Sequence, residues 1–393
     1  MVYYSWCTCA KNRGFWPHGL QGVSGMKIAV LGLRGIPNIM GGIESHCQNL
    51  YPRLVKHGMD VTIIGRSPYI DDDQYEFEGV KIKSVWTFKN KFLETFLHTF
   101  MGVIYATLFV KPDIIHIHAI GPSLFAPFAR LLGLNVVVTH HGADYDRKKW
   151  NGFAKRILKL GEKMGVKFSH SMIVVGNSLT KKLKQEYSSN ANKLVFIPNG
   201  TLTGFSDNIT EEQLPTDLSI QPNTYILAVS RLVPEKGIHD LISAYQKSNT
   251  DFKLVIVGAA DHDDEYSKSI RNSASQNIII AGRRTGHALA SLYKFCGVFV
   301  LPSYHEGHPI VALEAISAGS NVLLSDIQPN KDISLPSDCY FKVGDTDALA
   351  SKITQLDELN LSFNKSAFLE RYNWDNIAEQ TLLEYKKVVE QLK

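Results

Sequence analysis

From Met26 onward, short β-branched runs alternate with amphipathic segments. The first half reads KIAVLGL, a helical GIESHCQNLYPRLVKHG, VTIIG, an apolar helix near Phe92 to Val110, DIIHIHA, a helix from Ser123, NVVVTHHG, another helix, SMIVVG and KLVFIPNG. A polar stretch from Thr201 to Pro222 follows. The alternation then resumes with YILAVSRL, a helix from Gly237, FKLVIVGA, a helix around Tyr266, NIIIAG, a helix from Ala288, VFVLPS, a further helix, NVLLS and CYFKV. Strands that alternate with helices predict parallel sheets covered on both faces. The expected fold is therefore α/β, with two Rossmann-like doubly wound domains at residues 26–200 and 223–370, a linker at 201–222 and a cleft between them. In such sheets ligands bind beyond the carboxyl ends of the strands. The terminal segment 371–393 reads as one amphipathic helix, with Trp374, Ile377, Leu382, Tyr385, Val388 and Leu392 at helical spacing.

Composition narrows the class. The chain has 393 residues, 44% hydrophobic and 20% charged, which excludes disordered and fibrous proteins. Its five cysteines, Cys7, Cys9, Cys47, Cys296 and Cys339, are odd in number and lack metal-ligand spacing, which fits a reducing compartment. Residues 1–25 carry no apolar signal core, and Met26 directly precedes a strand. They are expected to form a leader outside the fold.

The candidate chemistry concentrates in VFVLPSYHEGHPIVALEAISAG, Val298 to Gly319. A strand there gives way through a polar loop to a helix, whose unpaired first N–H groups offer a seat for phosphate. Glu306 lies in the loop and Glu314 about two turns inside the helix, where ionised carboxylates can accept from hydroxyls, a sugar at Glu306 and a ribose at Glu314. The structural alternative is an ordinary helix with solvated glutamates. Arg231 and Lys236, in AVSRLVPEKG, stand between a strand and a helix where two cations can neutralise a diphosphate, or simply be solvated. Gly41 and Gly42 precede a helix after LRGIPNIM, where glycine lets a backbone approach phosphate; a plain loop-to-helix turn is the alternative. The spacing is not that of a dinucleotide fingerprint, and no acidic residue closes VTIIG. His116 and His118 alternate along DIIHIHA and are expected on opposite faces. His118, at the carboxyl end, is the one placed for the cleft; a structural histidine is the alternative.

The net charge of +4 is concentrated. Between Arg147 and Lys167 eight Lys or Arg stand against one acid, Glu162, with Trp150, Phe153, Ile157, Gly161, Met164 and Phe168 at helical spacing. That is a basic amphipathic helix, which either lies on anionic lipid through residues 147–168 or packs its apolar face on the sheet. No nucleic-acid module accompanies it. The run from Phe92 to Val110 is interrupted by Glu94, His98 and Gly102, so a buried helix is expected rather than a membrane span. Asp261 with Asp263, and Asp345 with Asp347, have the Asp-x-Asp spacing of a divalent-cation site, but neither pair falls beside the cleft residues, and no metal or other cofactor is expected.

In order and spacing, the Gly-Gly loop, the HIH strand, VSRLVPEKG and EGHPIVALEA resemble the retaining glycosyltransferases of family 4 with the GT-B fold, over the whole chain after Met26. LRGIPNIMGGIE, HHGADYDRKKW and LLSDI further resemble the rhamnosyltransferase-like bacterial subset that builds capsule, O-antigen and other surface polysaccharides. The resemblance implies a cytoplasmic enzyme, peripheral at the inner membrane face, that moves a sugar from a nucleoside diphosphate to a saccharide or lipid-linked saccharide acceptor. It implies that Arg231 and Lys236 hold the donor diphosphate and stabilise it as it leaves, with backbone amides near Ile310 and Val311 on its other side. Glu314 would then take the ribose, Glu306 with Gly307 the transferred sugar, Gly41 and Gly42 the phosphates from the first domain, and His118 would face the reacting sugar. Two positions depart from the pattern: His308, where a hydrophobic or aromatic residue is common, and Asn321, where proline is common. A sugar-nucleotide epimerase of similar architecture and a non-catalytic sugar- or nucleotide-binding protein are the rival classes.

Overall fold

The computed structural model describes residues 25–391 apart from 71, 73, 89–92, 148, 149, 203, 205, 261–263, 360 and 362. Residues 1–24 of the expected leader, the aspartates Asp261 and Asp263, Phe92, Lys148, Lys149 and Leu392 thus lie outside the described residues. The first sheet contains β1 (Lys27–Leu31), β2 (Asp60–Arg66), β3 (Gln74–Phe77), β4 (Val80–Val85), β5 (Ile114–His118), β6 (Val136–His140), β7 (Ser171–Val174) and β8 (Leu194–Phe196), in the order β3-β4-β2-β1-β5-β6-β7-β8. All pairs are parallel except β3 with β4. The second sheet contains β9 (Tyr225–Val229), β10 (Lys253–Val257), β11 (Ile278–Gly282), β12 (Val298–Leu301), β13 (Val322–Ser325) and β14 (Tyr340–Phe341), ordered β11-β10-β9-β12-β13-β14 and wholly parallel. That is the Rossmann order, so the expectation of two doubly wound α/β units is met. The near-continuous apolar strands are fully buried, as sheets covered on both faces require.

The last helix, Trp374–Glu390, returns to the first domain. Its Trp374, Ile377, Ala378, Leu382, Tyr385 and Val388 enter the core built on β1 and on the helix Gly42–Lys56. The chain crosses back where Thr201 N–H donates to Tyr372 O at 2.7 Å. Burial of these large side chains, at roughly 1.5–3 kcal/mol each, makes the crossing a permanent tie between the domains.

Two helices depart from the expected burial. The apolar run forms the helix Leu93–Tyr105 continued by a wider turn, Ala106–Val110, but its polar residues face inward. Glu94 pairs with Arg66 at 2.9 Å, His98 Nε2 lies 3.0 Å from Gly65 O, and Gly102 sits against Leu31. Leu93, Phe96, Phe100, Met101, Leu108 and Phe109 are exposed. The expected buried helix is thus an exposed apolar one tied down by a buried polar face; Leu93–Val110 is also long and apolar enough to cross a membrane, by length and composition only. In the basic helix Gly152–Phe168, Gly161, Glu162, Gly165, Val166 and the partly buried Phe168 contact the domain, while Phe153, Ile157 and Leu160 stay exposed. The expected apolar stripe therefore divides: Gly161 and Phe168 pack on the domain, whereas Phe153 and Ile157 do not. Its lone acid points inward, leaving an outer face of cations and apolar side chains.

Candidate active site

The site residues gather at the carboxyl ends of β1, β5 and β6 in the first domain and of β9 and β12 in the second. After β9 the chain turns through Pro234–Lys236 into the helix Ile238–Lys247, which places the partly buried Arg231 and Lys236 on the loop. After β12 the loop 302–309 leads into the helix Ile310–Ser317. Lys236 Nζ donates to Glu306 Oε1 at 2.6 Å, and Ser303 Oγ donates to the same oxygen at 2.7 Å. Two residues seventy positions apart are thereby joined, and a charge-assisted bond of this kind is short and directional. Ile310 and Val311 open their helix, where first-turn N–H groups have no acceptor within the helix. Glu314 lies one turn further, accepting from Tyr293 OH at 3.0 Å, and burial raises its carboxyl to about 7.

The first domain meets this loop directly. A Cβ on Gly307 would lie 1.7 Å from His141 O, so only glycine allows the two backbones to touch. Asn199 Nδ2 donates to His308 O at 2.8 Å and Ser178 N–H to Asp332 Oδ2 at 2.9 Å. Arg147, between the ends of β6 and the basic helix, pairs with Glu235 beside Lys236 and, at 3.3 Å, with Asp144; it is largely buried. The expected lipid-facing segment therefore loses its first residue: Arg147 precedes the helix and closes the cleft, because its guanidinium finds two carboxylates there. Gly41 and Gly42 begin the helix Gly42–Lys56, but a Cβ on Gly41 would strike the Arg34–Glu44 pair, which is 3.0 Å long. Those atoms are the flexible ends of side chains, so the pair would have to shift to admit a Cβ. A Cβ on Gly42 would enter open space.

His118 is fully buried, with Nδ1 at 2.8 Å from His141 Nε2 and Nε2 at 2.5 Å from Tyr51 OH. Contrary to the expectation of opposite faces, His116 and His118 share one: their rings stack with centroids 4.3 Å apart, and Tyr51 OH lies 3.0 Å from His116 Nδ1. Side chains alternate along a strand, so residues two apart fall on the same side. Burial, then the neighbouring imidazoles, hold His118 and His141 well below the ordinary histidine range, so both rings are neutral at pH 7. His141 is only partly buried, and it, not His118, carries the backbone that touches Gly307. His46 completes the cluster, its Nδ1 2.9 Å from Asn199 Oδ1 and its buried Nε2 without a hydrogen-bond partner. Among the described residues, His46, His118 and His141 offer ligand atoms within 4.8 Å of one another, a set chemically able to hold a divalent cation. Asp345 instead caps the helix Thr346–Thr354 through Ala348 N–H, and Asp347 pairs with Lys247.

His308 is buried against Tyr372, ring centroids 5.5 Å apart, with neither ring nitrogen bonded. It fills a packing position, as the hydrophobic residue common there would. Sequence reasoning missed His46, Tyr51, His141 and Glu235: His141 and Glu235 stand inside quoted motifs, HHGADYDRKKW and VSRLVPEKG, but only the fold brings the four to the strand ends.

Comparison with known proteins follows the two domains. Residues 40–203 match the profile described as Glycosyltransferase Family 4, and residues 210–373 that of Glycosyl transferases group 1. An uncharacterized glycosyltransferase of Methanocaldococcus jannaschii is 27% identical over 93% of this chain and all of its own length. The UDP-Gal:alpha-D-GlcNAc-diphosphoundecaprenol alpha-1,3-galactosyltransferase of Escherichia coli is 29% identical over 56% of this chain and 59% of its own. Among solved structures, Anabaena HepE in complex with UDP and glucose superposes with a TM-score of 0.75 at 16% identity, covering 92% of this chain and all of that one. With one profile on each Rossmann-like domain and a full-length relative of the same kind, the chain belongs to the family 4 and group 1 glycosyltransferases of GT-B fold.

Proposed function

We propose that this glycosyltransferase transfers a sugar, with retention of configuration and without a metal, from a UDP-sugar to a lipid-linked saccharide during surface-polysaccharide synthesis. The observation that carries the reading is the Lys236–Glu306 pair, set beside the start of the helix Ile310–Ser317 on a loop whose Gly307 touches His141 of the other domain. Arg231 and Lys236 supply fixed positive charge where negative charge develops on the departing diphosphate, and the Ile310 and Val311 amides supply dipoles. Glu314 takes the ribose hydroxyls and Glu306, with Gly307 beside it, the transferred sugar. Because Glu306 Oε1 already accepts from Lys236 and Ser303, it is a poor nucleophile. That favours attack by the acceptor hydroxyl while the sugar–phosphate bond breaks on the same face. His118 then acts as a positioning residue behind His141, which lies nearer the sugar, and Gly42 leaves room for phosphate from the first domain.

UDP is favoured as the base carrier by the HepE likeness, and the lipid diphosphate acceptor by the E. coli relative. Peripheral attachment at the cytoplasmic face is favoured by the exposed apolar residues of Leu93–Val110 and by Phe153, Ile157 and Leu160 among the lysines of Gly152–Phe168. Phe96 and Phe100 contact Phe125 beneath them, and Phe100 stacks on Phe128. Incubation with labelled UDP-sugar and a membrane lipid extract tests the reading. Label moving to the lipid phase supports it, an isomerised donor indicates an epimerase, and no turnover with UDP-, GDP- or dTDP-sugars overturns it.

A further inference from the structure

A second polar cavity lies at the opposite end of the first sheet from the cleft, where β6, β7 and β8 begin. Its volume is about 340 Å³, at the lower end of small-ligand sites. Arg130, Lys167, Lys193 and Lys387 line it against one acid, Glu384. That acid accepts from Ser171 Oγ at 3.0 Å and pairs with Lys387 at 3.7 Å, which leaves the wall with an excess of cations. The cations are not neutralised by one another, and their arrangement is fixed: Lys193 Nζ donates to Lys167 O at 3.2 Å, and Arg130 Nη1 reaches His170 Nδ1 at 3.1 Å.

Buried behind the cavity wall, two further groups lack partners. His170 Nδ1 accepts from Val136 N–H at 3.0 Å as well as from Arg130, so the neutral ring carries its proton on Nε2. That Nε2 is buried with no hydrogen-bond partner, and so is Oγ of Ser169, a residue only 1% exposed. Buried donors without acceptors are costly and rare. Burial, then Arg130 and Lys193, lower His170 to about 4, and burial with Arg130 lowers Lys193, as expected where positive charges outnumber the one acid. The wall therefore presents an excess of cations and suits several acceptor oxygens on one anion. Lys167 ends the basic helix, and the exposed Leu131 and Leu132 directly follow Arg130.

We propose that this pocket binds a phosphate group, that of an anionic lipid headgroup at the membrane face, separately from the donor diphosphate. A tetrahedral phosphate matches the donor set, and the adjoining leucines match acyl chains rather than water.

The test compares the full chain with Arg130→Gln/Lys193→Gln and with a control, Arg156→Gln/Lys163→Gln, which removes the same charge from the solvent face of the basic helix. Binding is measured to vesicles of phosphatidylglycerol with phosphatidylcholine, and stabilisation by inorganic phosphate is followed by melting temperature. The pocket variant is expected to lose vesicle affinity about tenfold beyond the control and to lose the part of the phosphate stabilisation that the control keeps. Equal losses in both variants, with equal phosphate responses, overturn the proposal in favour of general surface charge. Phosphate stabilisation lost only in the pocket variant, with equal vesicle affinities, supports the site and assigns free phosphate as its ligand. Should the double variant fail to fold, Lys387→Gln, at a half-exposed side chain, is expected to weaken both responses several-fold, and unchanged responses overturn the proposal.

Discussion

Replacing Glu314 by Gln should stabilise the ligand-free protein while weakening the nucleotide site. Burial raises the folded-state carboxyl from 4.5 to about 7, whereas in the unfolded chain it titrates as an ordinary glutamate. Between those values the folded state binds the extra proton, so stability falls as pH rises through the window and the loss is complete above 7. Each tenfold difference in proton affinity is 1.36 kcal/mol, so ionised Glu314 costs the fold up to about 3 kcal/mol at pH 8 and nothing below pH 4. Gln keeps an oxygen for Tyr293 OH and removes the charge. Thermal unfolding at pH 8 should show Glu314→Gln melting several degrees above the native chain, at about 2–4 °C per kcal/mol, and the gap should close toward pH 4. UDP affinity should fall by about tenfold or more, because hydrogen bonds to a charged acceptor are lost. A variant melting lower than the native chain at pH 8, or a gap independent of pH, would refute the reasoning from burial.

Other consequences are sharper in sign than in size. Gly307→Ala must push His141 and the loop after Gly307 apart, and a displacement of about 1 Å at a reacting centre costs on the order of 100-fold in kcat/KM; UDP affinity should change little, which separates misalignment from lost binding. Turnover should survive EDTA; strict dependence on added Zn²⁺ or Mn²⁺ would assign a catalytic cation to His46, His118 and His141 instead.

Most of the fold was legible because buried parallel strands are continuous apolar runs and the covering helices keep their period. The hairpin of β3 and β4 escaped, since Gln74–Phe77 is half exposed and carries little apolar signal. The same logic failed on Leu93–Val110, where interrupting polar residues read as evidence of a soluble core helix. They are in fact its buried side, satisfied by Arg66 and the Gly65 carbonyl. At the site, Glu306 and Lys236 were readable from loop chemistry, and the fold joins them. His118 was readable as a residue of the strand end but not as buried behind His141, which depends on Tyr51 arriving from the helix Gly42–Lys56. Arg147 looked like part of a charge run because nothing local announces that Glu235, far along the chain, is its partner.

The central claim is that Lys236 carries the charge of the departing diphosphate. It is tested most directly by measuring kcat for transfer of labelled sugar from UDP-sugar to lipid-linked acceptor, native chain against Lys236→Ala. The expected result is a loss of about 100- to 1,000-fold with the melting temperature nearly unchanged. Near-native kcat in a folded Lys236→Ala protein would contradict the account.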